Sequence, residues 1–175
     1  MNLDSMTNGS SSVILLIFLA VAVVTDIRRR RIPNVLVALM LGCGIVLNLS
    51  FLGVPGALSV LGGVVVGLLI LIPFYALGGL GAGDVKLLVG VGSFLGPWGV
   101  LLAGVSTLAL GGVLGIAAIF WQRVGTVMAA RYLSISPSVP IEASAVRIPY
   151  SLAIAAGTLV VLYRRGAVMS PLLTN

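Results

Sequence analysis

Four carboxylates, no histidine and a single cysteine are all that this 175-residue chain offers to acid–base, metal or nucleophilic chemistry. Without histidine and with only Cys43, there is no framework for a zinc site and no internal disulfide. Cys43 lies inside an apolar run with no base beside it, so an activated thiol nucleophile is not on offer. Of the carboxylates, Asp4 sits in a polar tail and Glu142 in a polar loop. Asp26 and Asp84 sit where long apolar runs meet polar segments. Ionisable groups at membrane depth cost about 2.5–3.5 kcal/mol on insertion scales, so one that persists reads first as functional. Two carboxylates that share a site cannot both ionise easily; one keeps its proton, and the pair can then activate a water and protonate a leaving group. Metal and cofactors have no part in such a scheme.

Each of these residues also has a plainer role open to it. Asp84, placed before an apolar run, suits a helix N-cap. Asp26 precedes Arg28, Arg29, Arg30 and Arg31 and could form an exposed ion pair of little energetic value. Lys86, two residues beyond Asp84, does not share its helix face and can snorkel to the membrane interface. The glycines at 78, 79, 81 and 83 serve either as a flexible turn or as backbone that a peptide can approach, with Gly81, Gly83 and Lys86 as substrate-binding candidates.

The elements that must position Asp26 and Asp84 follow from hydropathy. The chain is 59% hydrophobic and 8% charged, with a mean hydropathy of +1.23, which a polar-surfaced soluble domain does not tolerate. It reads as one all-α polytopic membrane domain over residues 1–175, with a polar tail at 1–12 in place of a cleavable signal. The net charge of +6 comes mostly from arginines beside apolar runs, which orient a chain in the membrane and meet anionic lipid; nucleic acid is not the expected partner.

Six spans are expected, over residues 13–27, 35–52, 57–77, 84–94, 100–120 and 148–163. Gly96-Pro97 breaks the short fourth from the fifth, and residues 121–147 form a cytoplasmic loop with an interfacial helix at 124–133. Asn34 is expected to cap the second helix, and Gly53-Val54-Pro55-Gly56 to turn into the third. Gly104, Gly111, Gly112 and Gly115 suit close helix packing. Four arginines after the first span place that end in the cytoplasm and the N-terminus outside. Counting spans from there brings Asp26 and Asp84 to the same face. Arg164 and Arg165 oppose a six-span count, which five spans would relieve at the expense of the 121–147 loop.

At Gly81-Ala82-Gly83-Asp84 the chain resembles the type IV prepilin peptidases, intramembrane aspartyl proteases marked by a GxGD motif. The similarity continues through Asp84-Val85-Lys86-Leu87-Leu88. It includes Asp26 with the basic loop and Ile32-Pro33-Asn34, and a third segment, Arg147-Ile148-Pro149-Tyr150-Ser151-Leu152-Ala153-Ile154-Ala155. The resemblance implies that Asp26 and Asp84 are the catalytic pair of an endopeptidase of the inner (plasma) membrane. Its expected substrates are prepilin, pseudopilin or Flp-type pilin precursors, cut at the cytoplasmic face after a basic leader. Many members carry an N-terminal region with paired CxxC motifs, associated with N-methylation; with one cysteine this chain resembles the short form. Two other readings stand beside it: a presenilin-like protease cutting within a span, and a transporter or secretion-machine subunit using the carboxylates as a proton site. Aspartates at helix ends beside a basic loop oppose the first, and the lack of an evident internal repeat opposes the second.

Overall fold

A computed structural model describes residues 9–133 and 150–164. The tail up to residue 8, Glu142, residues 134–149 and Arg165 lie outside the described residues. Within them the chain is helical throughout, as α1 (Gly9–Arg29), α2 (Asn34–Leu52), α3 (Val54–Ala76), α4 (Ala82–Leu133) and α5 (Tyr150–Arg164). The first four are long and apolar enough to cross a bilayer, α4 through residues 82–117, whereas α5 has only 15 residues. Large apolar side chains such as Ile17, Val46, Leu58 and Leu61 point outward, as lipid-facing positions do in a membrane.

Among the described residues the six expected helices are corrected to five elements, four of them long apolar candidate spans, because the fourth and fifth expected segments follow one another without a loop as α4. Gly96 alone divides α4 into two helical arms. Gly96 leaves helical geometry with φ 69° and ψ −177°, and Pro97 follows it without an N–H to continue the ladder. The break is sharp. Residues 88 and 104 of a straight helix would stand about 24 Å apart, yet a Cβ built on Gly104 would lie 3.5 Å from Leu88 Cδ2 and 2.9 Å from Ile70 Cδ1. The two arms of α4 therefore fold back on one another alongside α3. The first arm, 82–95, is about 21 Å long by its helical rise, too short for a hydrocarbon core of about 30 Å.

That short arm is the centre of the molecule. Leu87, Leu88, Val91, Phe94 and Leu95 on it are buried, and they meet Leu15 and Leu19 of α1, Met40 of α2, Leu71 of α3 and Ile154 and Leu162 of α5. A helix apolar on every side belongs inside a bundle. Apolar burial does not drive association in lipid, so close packing must hold the arm, and small residues supply it. Gly63 of α3 and Gly92 of α4 face each other with no room for a Cβ on either, each against the other's carbonyl. Asn48 of α2 donates its amide to the carbonyls of Gly44 and Ser93, both at 2.9 Å, tying α2 to the arm.

Of the glycines expected to pack in the second arm, Gly104 meets Ile70 and Gly111 lies under the Tyr150 ring, but a Cβ on Gly112 or Gly115 would meet nothing within 4 Å among the described residues. The helix expected at 124–133 within the 121–147 region is present as the last part of α4, continuous with the second arm through Gln122 and Arg123. The turn before α3 is shorter than expected, since Pro55 sits within the first turn of that helix.

Candidate functional site

Asp26 lies in the last turn of α1. Arg30, in the left-handed region at φ 52°, ends the helix, and its N–H reaches the Asp26 carbonyl at 2.7 Å. The side chain of Asp26 points the other way and finds α5, where Ser151 Oγ donates to Asp26 Oδ2 at 2.6 Å. The carboxylate partner is thus a buried serine 125 residues away rather than one of the four arginines beside it.

Asp84 is delivered by the turn after α3. Gly78 takes φ 75°, and the N–H groups of Leu77, Gly78 and Gly79 close back onto the carbonyls of Pro73, Tyr75 and Phe74 at 2.9–3.1 Å. α4 then starts at Ala82, two residues before the expected start, so Asp84 is its third residue and not its N-cap. Asp84 Oδ2 instead accepts the N–H of Gly81 at 3.1 Å, the reach-back half of a capping box. Its structural role is real, but it engages one oxygen of the two.

Lys86 is exposed. Its Nζ donates to Asn34 Oδ1 at 2.9 Å, joining the starts of α4 and α2. Asn34 accordingly is not the cap of α2; that position belongs to Pro33, without a side-chain cap bond. Gly83 is helical and lies against Ile32, where a Cβ would sit at an ordinary 3.5 Å. Gly81 is more constrained, because a Cβ there would come within 3.2 Å of Asp84 Oδ2. The glycine segment forms a turn and a helix start, with no extended strand.

Asp26, Asp84, Lys86, Gly81 and Gly83 all line one cavity of ≈ 330 Å³, together with Arg30, Arg31, Ile32, Asn34 and Ala82. This is the low end of the range of about 300–1,000 Å³ usual for ligand sites. The structure thus brings every sequence-derived candidate to one place. It adds Arg30 and Arg31, which the sequence offers only as orienting charges, and Asn34, offered only as a cap. Ser151, which the third resembling segment includes without a role, joins them through its bond to Asp26. A carboxyl pair on one cavity can act on a water there, and Arg30, Arg31 and Lys86 on its wall offset the negative charge of the two carboxylates.

The type IV leader peptidase family matches this sequence over residues 13–116, more than half of the chain. The match takes in Asp26, Asp84 and the cavity lining, and it stops short of α5. Neither the curated proteins nor the solved structures yield a match. An all-helical bundle with four long apolar helices agrees with an integral membrane peptidase, and on the extent of that match the chain belongs to the type IV leader peptidase family.

Proposed function

We propose that this protein is an aspartyl endopeptidase of the inner membrane that removes basic leaders from pilin-like precursors, with Asp26 and Asp84 as its catalytic pair. The observation that carries the reading is that these two carboxylates, 58 positions apart in the chain, line the same cavity. One carboxyl is ionised and the other protonated. The ionised one takes a proton from water as the water oxygen attacks the scissile carbonyl carbon, and the protonated one gives its proton to the carbonyl oxygen. Collapse of the gem-diol intermediate breaks the C–N bond: the carboxyl that took water's proton gives it to the departing nitrogen, and the other carboxylate takes back a proton from a diol hydroxyl, so the pair again holds one proton. Lys86 contacts substrate from the rim. Gly81 and Gly83 keep the wall beside Asp84 free of side chains.

The arginines after α1 support placing this end in the cytoplasm and the N-terminus outside. A precursor whose leader is cytoplasmic and whose following segment is apolar then meets the cavity at the junction between the two. Prepilin, pseudopilin and Flp-type pilin precursors share that layout. The test uses the purified protein in liposomes with a synthetic precursor, followed by mass spectrometry of the products. A single cut at the boundary between leader and apolar segment supports the reading. Cuts inside the apolar segment would favour a presenilin-like protease, and an intact precursor would return the carboxylates to a proton site in transport.

A further inference from the structure

We infer that Ser151 is a positioning residue for Asp26, holding one oxygen of its carboxyl to α5 so that the other serves the cavity; this rests on the peptidase reading above. Ser151 is fully buried, and its hydroxyl donates to Asp26 Oδ2 at 2.6 Å, within the range of short, charge-assisted O–H···O bonds. Exchange of the two carboxyl oxygens by rotation would break that bond. Asp26 sits in the last turn of α1, and the hydrogen bond to its carboxyl comes from α5 across the bundle.

α5 is itself firmly placed. Gly157 packs against Thr107 and the carbonyl of Ala103, and the Tyr150 ring covers Gly111. Ser151 therefore carries the position of the second arm of α4 to a carboxylate on α1. The family match ends before α5, so the role is assigned by geometry alone.

Among the described residues, the charged groups that share the cavity with Asp26 are Arg30 and Arg31 after α1 and Asp84 and Lys86 on α4, with the neutral Asn34 from α2; Arg28 and Arg29 follow Asp26 along the chain, and Tyr150 precedes Ser151 on α5. None of these changes in a Ser151→Ala variant, so the variant isolates the donated hydrogen bond. A donor to a carboxylate favours its ionised form. Losing it moves the bell-shaped kcat/KM profile of the pair upward. We expect kcat to fall on the order of 10-fold with KM nearly unchanged, since the group lost touches Asp26 and not the substrate.

The experiment compares the parent, Ser151→Ala, Ser151→Thr and Asp26→Asn in liposomes, with cleavage rates across pH. It adds infrared difference spectra, parent minus Asp26→Asn and Ser151→Ala minus its own Asp26→Asn partner, which isolate the Asp26 carboxyl band. The inference expects the slower, upward-shifted profile in Ser151→Ala, partial recovery in Ser151→Thr, and a displaced Asp26 band in Ser151→Ala. An unchanged profile and band in Ser151→Ala, with Asp26→Asn inactive, would overturn the positioning role while leaving the peptidase reading intact. Cleavage by Asp26→Asn at the parent rate would overturn both. The infrared band reads Asp26 even if Ser151→Ala turns over too slowly to measure.

Discussion

Gly63→Ala tests the packing that holds the first arm of α4. The new Cβ would overlap the carbonyl oxygen of Gly92 and come within 3.1 Å of the carbonyl carbon of Gly96. Both obstacles are backbone, so no side chain can swing aside; α3 and the arm must separate. Overpacking of this kind costs about 1–3 kcal/mol. Replacing a mid-helix glycine by alanine returns up to about 1 kcal/mol of helix propensity. The overlap wins, leaving a net loss of about 1–2 kcal/mol. At about 2–4 °C per kcal/mol for a chain of this length, the melting midpoint in detergent falls by about 2–8 °C. Gly112→Ala is the matched control, because its Cβ would meet nothing within 4 Å. It gains the propensity without the overlap, so its midpoint stays level or rises. Gly92→Ala addresses the same contact from the other side, so the double variant costs less than the sum of the singles. Equal midpoints for Gly63→Ala and Gly112→Ala would refute the close approach of α3 to the arm. Because the arm carries Asp84, the separation also lowers cleavage, by up to about 100-fold if Asp84 moves by 1 Å.

Two further outcomes follow from the same geometry. Asp84→Asn keeps a carbonyl oxygen that accepts the Gly81 N–H, whereas Asp84→Ala loses the capping bond at about 1 kcal/mol. Melting midpoints should therefore separate the two variants while cleavage is lost in both; full activity in Asp84→Asn would reduce the residue to a cap. Gly96→Ala forces a side chain into φ 69° and against the Ser59 hydroxyl, at about 1–2 kcal/mol for the backbone alone. Its midpoint should fall, and an unchanged one would contradict the reversal within α4.

The C-terminal ends of the first three helices are legible in the sequence because long apolar runs end at Arg28–Arg31, Gly53 and Gly78, each a residue type with a physical reason to stop a lipid-spanning helix; the starts of α1 at Gly9 and α3 at Val54 come earlier than the expected 13 and 57. The break at Gly96-Pro97 is legible for the same reason. That only one residue separates the two arms is not, since hydropathy marks where apolar surface ends and not where helical hydrogen bonding does. For the same reason the helix expected at 124–133 is legible while its continuity with α4 through Gln122 and Arg123 is not. The convergence of Asp26 and Asp84 follows from alternating spans and needs no detail of packing. What they touch does need it: the Lys86–Asn34 bond joins residues 52 apart, and Ser151 reaches Asp26 across 125. No periodicity encodes such pairs. Asp84 misleads by two residues, because a carboxylate at the third helical position and one at the cap look alike when glycines precede both.

The most direct measurement of the central claim is co-expression of this protein with a tagged pilin-like precursor, with Asp26→Asn and Asp84→Asn alongside at matched membrane levels. The precursor's N-terminus is sequenced in each case. A two-carboxylate endopeptidase predicts a mature N-terminus with the parent and an uncut leader with either variant. Mature precursor in the presence of both variants, at the parent's rate, would contradict it and leave the shared cavity without a catalytic role.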